Sequence, residues 1–194
     1  MPTITITVPK VRCIKRNDKL NKDKVFLVVI VTAIKQGDEA PKIIFSGLSN
    51  VLKVKKGAIH SLDLGSKWSF NIEDNEGFNI SFGLYEKDKG DVYDAYKEKI
   101  EEIITTDGMS FRDVIREVWN AVKEKLTSAD LKEILEVLPA VGIKIIKNLR
   151  QDDLLGSRTY SYEANNPEIG FVREHDLKEA HSHYELQLAL TPES

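Results

Sequence analysis

The chain has 194 residues, 41% of them hydrophobic and 30% charged, with a formal net charge of −3. That is room for one good core, or for one domain carrying a sizeable insertion, and the balance of charge gives no push toward nucleic acid. The single cysteine, Cys13, excludes an internal disulfide; this fits an intracellular setting, and its place in an alternating run predicts a buried structural thiol.

The first segment, residues 3–14, alternates with period two and changes phase at Pro9-Lys10, which predicts a strand with a bulge or an edge position. Lacking a basic region followed by an apolar run, "MPTITITVPK" reads as a strand and not as a signal peptide. "KRNDKLNKDK" is charged and aperiodic, hence a loop. "KVFLVVIVTAI", residues 24–34, is β-branched and nearly continuous, as for a central strand; its apolar run is far too short to span a bilayer. "KQGDEAP" is a turn. "KIIFSGL" and "NVLKVKKG" are candidate strands broken by Gly47 and Gly57. "SKWSFNIED" and "GFNISFGLYE" alternate, and the "EDNEG" between them reads as a hairpin turn.

The period then changes to three and four. Tyr93, Tyr96, Ile100 and Ile103 predict a first helix, ended at Asp107-Gly108. Ser110 reads as the N-cap of a second, with Asp113 at its third position and Phe111, Val114, Ile115, Val118, Val122 and Leu126 as its stripe. Thr127 or Ser128 caps a third, whose stripe is Leu131, Leu135, Leu138, Val141, Ile145 and Leu149. Pro139 should kink that helix and Gly142 should weaken it. After Arg150 the strand signals return in "SRTYSYE" and "HYELQLALT". The stretch between them, residues 164–180, is polar and poorly periodic.

Strands on both sides of a helical block point to a sandwich with an insertion, and the order of the pieces is more specific. "NDKLNKDKVFLVVI" resembles the first acidic loop and following strand of a C2 domain. "KWSFNI" resembles that family's tryptophan-x-phenylalanine strand. "FNISFGLYEKD" resembles the strand that enters its acidic-x-acidic loop, and "DDLLGS" is similar to the sequence that closes the same loop. The resemblance implies a mainly β fold: an antiparallel C2-like sandwich of about eight strands, formed by residues 1–91 and 150–194. An inserted block of three helices, residues 92–149, splits the third acidic loop.

The resemblance also implies a function. The family is best known for binding calcium between loops at one end and docking on anionic phospholipid. Calcium takes about six to eight hard oxygen ligands, which clustered carboxylates supply. Carried over by position, Asp18 and Asp23 stand as first-loop ligands, Glu86 and Asp88 as the acidic-x-acidic pair, and Asp153 as the carboxylate before the glycine. Glu86 departs from the usual aspartate, and Lys19, Lys22, Lys24, Lys87 and Lys89 partly neutralise the loops.

The expected function is therefore a non-enzymatic binding module of the cytoplasm or a peripheral membrane. It would dock on phospholipid or on a protein partner, with calcium as its candidate cofactor and no nucleic acid. Two other readings stand beside it. In one, the helical block engages lipid as in a membrane-active or toxin-like protein, with Leu138, Val141 and Ile145 as the contact; against it, an apolar stripe packs by default. In the other, the chain is an ion-independent scaffold. His175, His181 and His183 raise a zinc site, weighed against a surface turn before the last strand. No P-loop, dinucleotide fingerprint or nucleophile elbow is present.

Overall fold

The computed structural model describes residues 2–15, 23–64, 68–87, 93–94, 97–98, 109–124, 126, 130–149, 154–166, 169–170, 172–179 and 182–193, and the backbone alone at 23, 109–111 and 179. In chain order its elements are β1 (Thr3–Lys15), β2 (Asp23–Lys35), β3 (Lys42–Leu48), β4 (Leu52–Val54), β5 (Ile59–Leu62), β6 (Trp68–Asn71), β7 (Glu76–Glu86), α1 (Met109–Lys123), α2 (Leu131–Leu149), β8 (Leu154–Glu163), β9 (Val172–Glu179) and β10 (Ser182–Glu193).

The strands form two antiparallel sheets. One has the order β5-β1-β10-β9, with β6 also paired to β1; the other has β3-β2-β7-β8, with β4 also paired to β2. The chain is thus mainly β, with ten strands among the described residues where about eight were expected. It has two helices among the described residues where three were expected. Of the first predicted helix, residues 93–104, only Tyr93, Asp94, Lys97 and Glu98 are described, and they are helical.

Alternation decides the layers. On β2, Val25, Leu27, Val29, Val31 and Ala33 join Phe78, Ile80, Phe82 and Leu84 of β7 in the core between the sheets, against Ile4, Ile6, Trp68, Phe70 and Leu186. The alternate residues Phe26, Val28, Ile30 and Ile34 face the other way and meet Leu138, Val141, Ile145 and Leu149 of α2, with Ile115 and Trp119 of α1. β2 is therefore buried on both faces, which is why its apolar run is continuous. Three layers result: sheet, sheet, helices.

Helix α2 lies on β2, β7 and β8, and it does so closely because of what the sheet presents. Asn79 and Ser81 alternate outward from β7 and are both fully buried. The Asn79 amide donates to Thr159 Oγ1 at 2.6 Å and to the Tyr160 carbonyl at 3.0 Å. Ser81 Oγ donates to Asn79 Oδ1 at 2.6 Å. This short polar row is satisfied within the sheet, as burial demands, and Gly142 of α2 rests on it. The Tyr85 hydroxyl adds a bond of 2.9 Å to the Ile146 carbonyl.

Several expectations hold. The phase change at Pro9-Lys10 is a register shift between Thr7 and Lys10. Cys13 is buried. The turn after β2 closes through Asp38, whose N–H donates to the Lys35 carbonyl at 3.1 Å and whose carboxylate accepts the Lys35 N–H at 3.0 Å, with Gly37 at φ 93°. Others need correction. "EDNEG" is not a hairpin: β6 pairs with β1 in one sheet and β7 with β2 in the other, so the turn crosses the sandwich. Gly47 lies inside β3 instead of breaking it, and its bare backbone gives room to the rings of Phe45 and Trp68. Helix α2 is assigned through Pro139 without a break, and its described cap is Asp130, whose carboxylate accepts the Lys132 N–H at 3.2 Å. Ser110 falls one residue inside α1. Residues 172–179, read as irregular, form β9.

Candidate functional site

The first acidic loop and the two halves of the split loop singled out in the sequence adjoin strand ends at one end of the sandwich. β2 begins there and pairs with the end of β7, Val25 opposite Glu86. The end of β7 in turn pairs with the start of β8, Tyr85 opposite Leu154. So the strands on either side of the helical segment are hydrogen-bonded neighbours. β4 closes the same end, pairing with the first residues of β2.

Ser49 places β4. Its N–H donates to the Leu27 carbonyl at 2.9 Å and its Oγ accepts the Leu27 N–H at 2.8 Å. The side chain thus stands in for a strand partner where β2 passes from β3 to β4. Tyr93 seals the crossing: its hydroxyl donates to the Ser49 carbonyl at 3.1 Å, and its ring meets Phe26 edge-on at 5.4 Å. Burial, with Asp94 nearby, pushes the Tyr93 phenol up from its ordinary value.

This scaffold collects lysines. Lys24 of β2 lies directly opposite Lys53 of β4, and both are exposed. Lys55 and Lys56 follow β4, with Lys56 bridged to Cys13, and Lys15 ends β1; all three are exposed. The Lys87 N–H donates to the Lys24 carbonyl at 2.6 Å, and its ammonium lies 4.8 Å from the centre of the Tyr93 ring. Among the described residues Lys24, Lys53, Lys55 and Lys56 make no ion pair. Like charges facing each other on adjacent strands cost stability.

Of the five expected calcium ligands only Glu86 has a described side chain. Asp18, Asp88 and Asp153 lie outside the described residues. Asp23 opens β2 opposite Val54, and only its backbone is described. Glu86 ends β7, half-buried. Among the described residues no group of three or more histidines, cysteines, aspartates or glutamates could hold a metal ion. Leu138, Val141 and Ile145, expected as a possible membrane or partner contact, are each 0% exposed. They face the outer side of the β2–β7 sheet, so the stripe is packed and offers no contact surface in this arrangement.

The histidines do not assemble a zinc site among the described residues either. His183 on β10 faces outward, its Nε2 2.9 Å from Asp176. His175 on β9 faces inward, 5.0 Å from the Phe82 ring, with Nδ1 2.8 Å from the Tyr160 hydroxyl. Burial, reinforced by Arg158 and Arg173, lowers His175 to about 4. The hydrogen bond from His183, then that from Lys178, holds Asp176 at about 2. His181 lies outside the described residues. His175 and His183 lie on β9 and β10, which pair as neighbours up to Glu179 opposite Ser182.

No family model matches the sequence, and no curated protein matches it. Among solved structures the chain is similar to a C2 domain, the one lettered A, of a plant Extended Synaptotagmin 1, with 8% identity, a TM-score of 0.44, and coverage of 100% of this chain and 96% of that one. It is similar to human GIVD cytosolic phospholipase A2, with 8% identity and a TM-score of 0.42, over 100% of this chain and 18% of that one. It is also similar to CC2D1B, described as coordinating ESRCT-III activity during the mitotic reformation of the nuclear envelope, with 12% identity and a TM-score of 0.42, over 98% of this chain and 54% of that one. The chain thus spans a minor part of the phospholipase and about half of CC2D1B. The two antiparallel sheets described above agree with the C2-like sandwich that the sequence resembles. No helix among the described residues is long and apolar enough to cross a membrane.

Proposed function

We propose that the chain is a non-enzymatic docking module that holds an anionic membrane surface through the lysine-bearing end of its sandwich. The observation that carries this is Lys24 opposite Lys53, both exposed and without an ion-pair partner among the described residues, with Lys15, Lys55 and Lys56 beside them. A basic residue close to an anionic leaflet contributes about 1 kcal/mol, so a group of five supplies useful affinity without deep insertion. Each lysine stem also lies along the surface while its ammonium reaches for phosphate.

A calcium-dependent form of the same docking is the second reading. It is favoured by the convergence of the β2 start, the β7 end and the β8 start, which flank the loops holding Asp18, Asp23, Glu86, Asp88 and Asp153. Those carboxylates would hold the ion, and the ion would add positive charge to the same end.

Co-sedimentation with phosphatidylcholine vesicles, with and without phosphatidylserine, tests both readings. Binding only to the anionic vesicles, undiminished by chelator, is expected from the lysines. Binding that needs calcium assigns the docking to the carboxylates. Equal binding to neutral and anionic vesicles, or none to either, removes the electrostatic surface as the function.

A further inference from the structure

The opposite end of the molecule holds a cleft that the lipid-docking reading does not use. It lies between the turn after β2 and helix α1, with a volume of about 690 Å³. β2 has 13 residues, so about 40 Å of strand separates this cleft from the lysine end.

Its walls differ in character. Arg112 and Arg116 stand one turn apart on α1, both exposed. Residues four apart share a helix face, so both guanidiniums border the same opening, and neither has an ion-pair partner among the described residues. Between them Ile115 is 4% exposed, and with Ile43 and Pro41 it gives the cleft an apolar floor. Asp38 and Glu39 stand on the turn side, Asp38 already committed to the Lys35 N–H. β3, which contributes Lys42 and Ile43, pairs only with β2 among the described residues. Its outer edge therefore presents free backbone donors and acceptors.

We propose that this cleft binds an acidic peptide segment of a partner protein. Arg112 and Arg116 take its carboxylates, and a neighbouring aliphatic side chain settles on Ile115 and Ile43. Arginine matches a carboxylate with two parallel N–H donors, and a pair at one helical turn fits two acidic side chains of one extended segment. The carboxylates of Asp38 and Glu39 disfavour a compact dianion such as phosphate, whose charge cannot be spread along the cleft. They tolerate a peptide, whose N–H groups can face them while its own acids lie on the arginine side. Half-apolar clefts of this size suit a short segment with a few fixed polar contacts. The chain then holds membrane at one end and a partner at the other, and the two activities are separable.

The test is a synthetic array of octapeptides in a glycine-serine background. Each carries a three-residue core, and all combinations of Asp or Glu, Lys, and Ile, Leu, Val or Phe are represented. The full chain is expected to retain cores that combine acidic with aliphatic residues, and to leave lysine cores at background. Arg112→Glu with Arg116→Glu should weaken the retained peptides at least tenfold with an unchanged thermal midpoint, and Arg112→Lys with Arg116→Lys should fall between. Should the charge reversal disturb folding, Arg112→Gln with Arg116→Gln reads the same loss. No retention of acidic cores overturns the proposal, as does retention indifferent to the arginine variants. Binding of free inorganic phosphate with no acidic peptide retained also overturns it.

Discussion

Gly142 of α2 sits so close over Ser81 of β7 that a Cβ on the glycine would stand 2.9 Å from the serine Cβ, and closer still to the serine Oγ and to Asn79 Oδ1. This contact sets the spacing between the helical layer and the sandwich. Around it the stripe of Leu138, Val141 and Ile145 packs with Phe26, Val28 and Ile30 of β2.

The first prediction follows from that contact. In a free helix Gly142→Ala would stabilise by about 1 kcal/mol. Here the methyl group must displace a hydrogen-bonded row, and overpacking costs about 1–3 kcal/mol, on top of any bond it breaks. The variant should unfold below the wild type in a denaturant titration. A midpoint above the wild type would mean that the helix stands off the sheet.

Burial of the Tyr85 hydroxyl against the Ile146 carbonyl gives a second. Tyr85→Phe removes the buried donor to that carbonyl. The expected loss is about 1 kcal/mol, seen as a lower urea midpoint at unchanged slope. No change would show that the carbonyl is satisfied from elsewhere.

A third concerns pH. His175 has its folded-state value lowered to about 4 from 6.5, chiefly by burial and then by Arg158 and Arg173. The unfolded chain therefore binds a proton more readily than the folded one between these values. The contribution to stability is present above pH 6.5 and is lost as pH falls toward 4. It is on the order of 3 kcal/mol. His175→Phe should flatten the stability profile in that window, whatever it does to the midpoint at pH 7. A profile as steep as the wild type would place the titrating group elsewhere.

A fourth separates stability from binding at the lysine end. Lys53→Glu turns a like-charged cross-strand pair into an opposite one, so the fold should gain about 0.2–1 kcal/mol. The same change should weaken binding to phosphatidylserine vesicles by about fivefold or more, since it removes one basic contact and adds a repulsion. A loss of stability together with binding would mean that Lys53 serves the fold.

A fifth decides the ion. If Asp88 and Asp153 hold calcium, millimolar calcium must raise the thermal midpoint by mass action, and Asp88→Asn with Asp153→Asn must abolish the rise. An identical midpoint in calcium and in chelator removes calcium from the account.

What was legible in the sequence was whatever burial writes as a period. β2 and β7 could be read because both faces are buried or cleanly alternate, and β10 because Tyr184, Leu186, Leu188 and Leu190 repeat. β9 was hidden because its inward positions are Arg173, His175 and Leu177, with a histidine standing where an apolar residue would mark the strand. β5 is only four residues long and exposes Ile59, so no alternation could show. The crossing at residues 73–76 looked like a hairpin because turn chemistry does not say which sheet the next strand joins.

The site was legible in part. The order of the loops pointed to one end of the sandwich, and the strand ends do meet there. Of the five lysines proposed to dock, the sequence marked only Lys24, as a neutraliser of an acidic loop; Lys15, Lys53, Lys55 and Lys56 went unmarked, because the clustering depends on pairing between β2 and β4, residues distant in sequence. "KVKK" in 53–56 was the available signal. Ser49 and Tyr93, which fix that pairing, carry no local mark at all. Nor does the cleft of Arg112 and Arg116, since its two walls, the turn after β2 and helix α1, lie far apart in sequence.

The most direct test of the central claim is vesicle co-sedimentation in chelator across a salt series, comparing the wild type with Lys24→Glu, Lys53→Glu. The lysine surface predicts binding to phosphatidylserine vesicles that falls steeply as salt shortens the screening length below about 10 Å, and a double variant that no longer binds at any salt while keeping its fold. Wild-type binding that ignores salt, or a double variant that binds as well as the wild type, would contradict it.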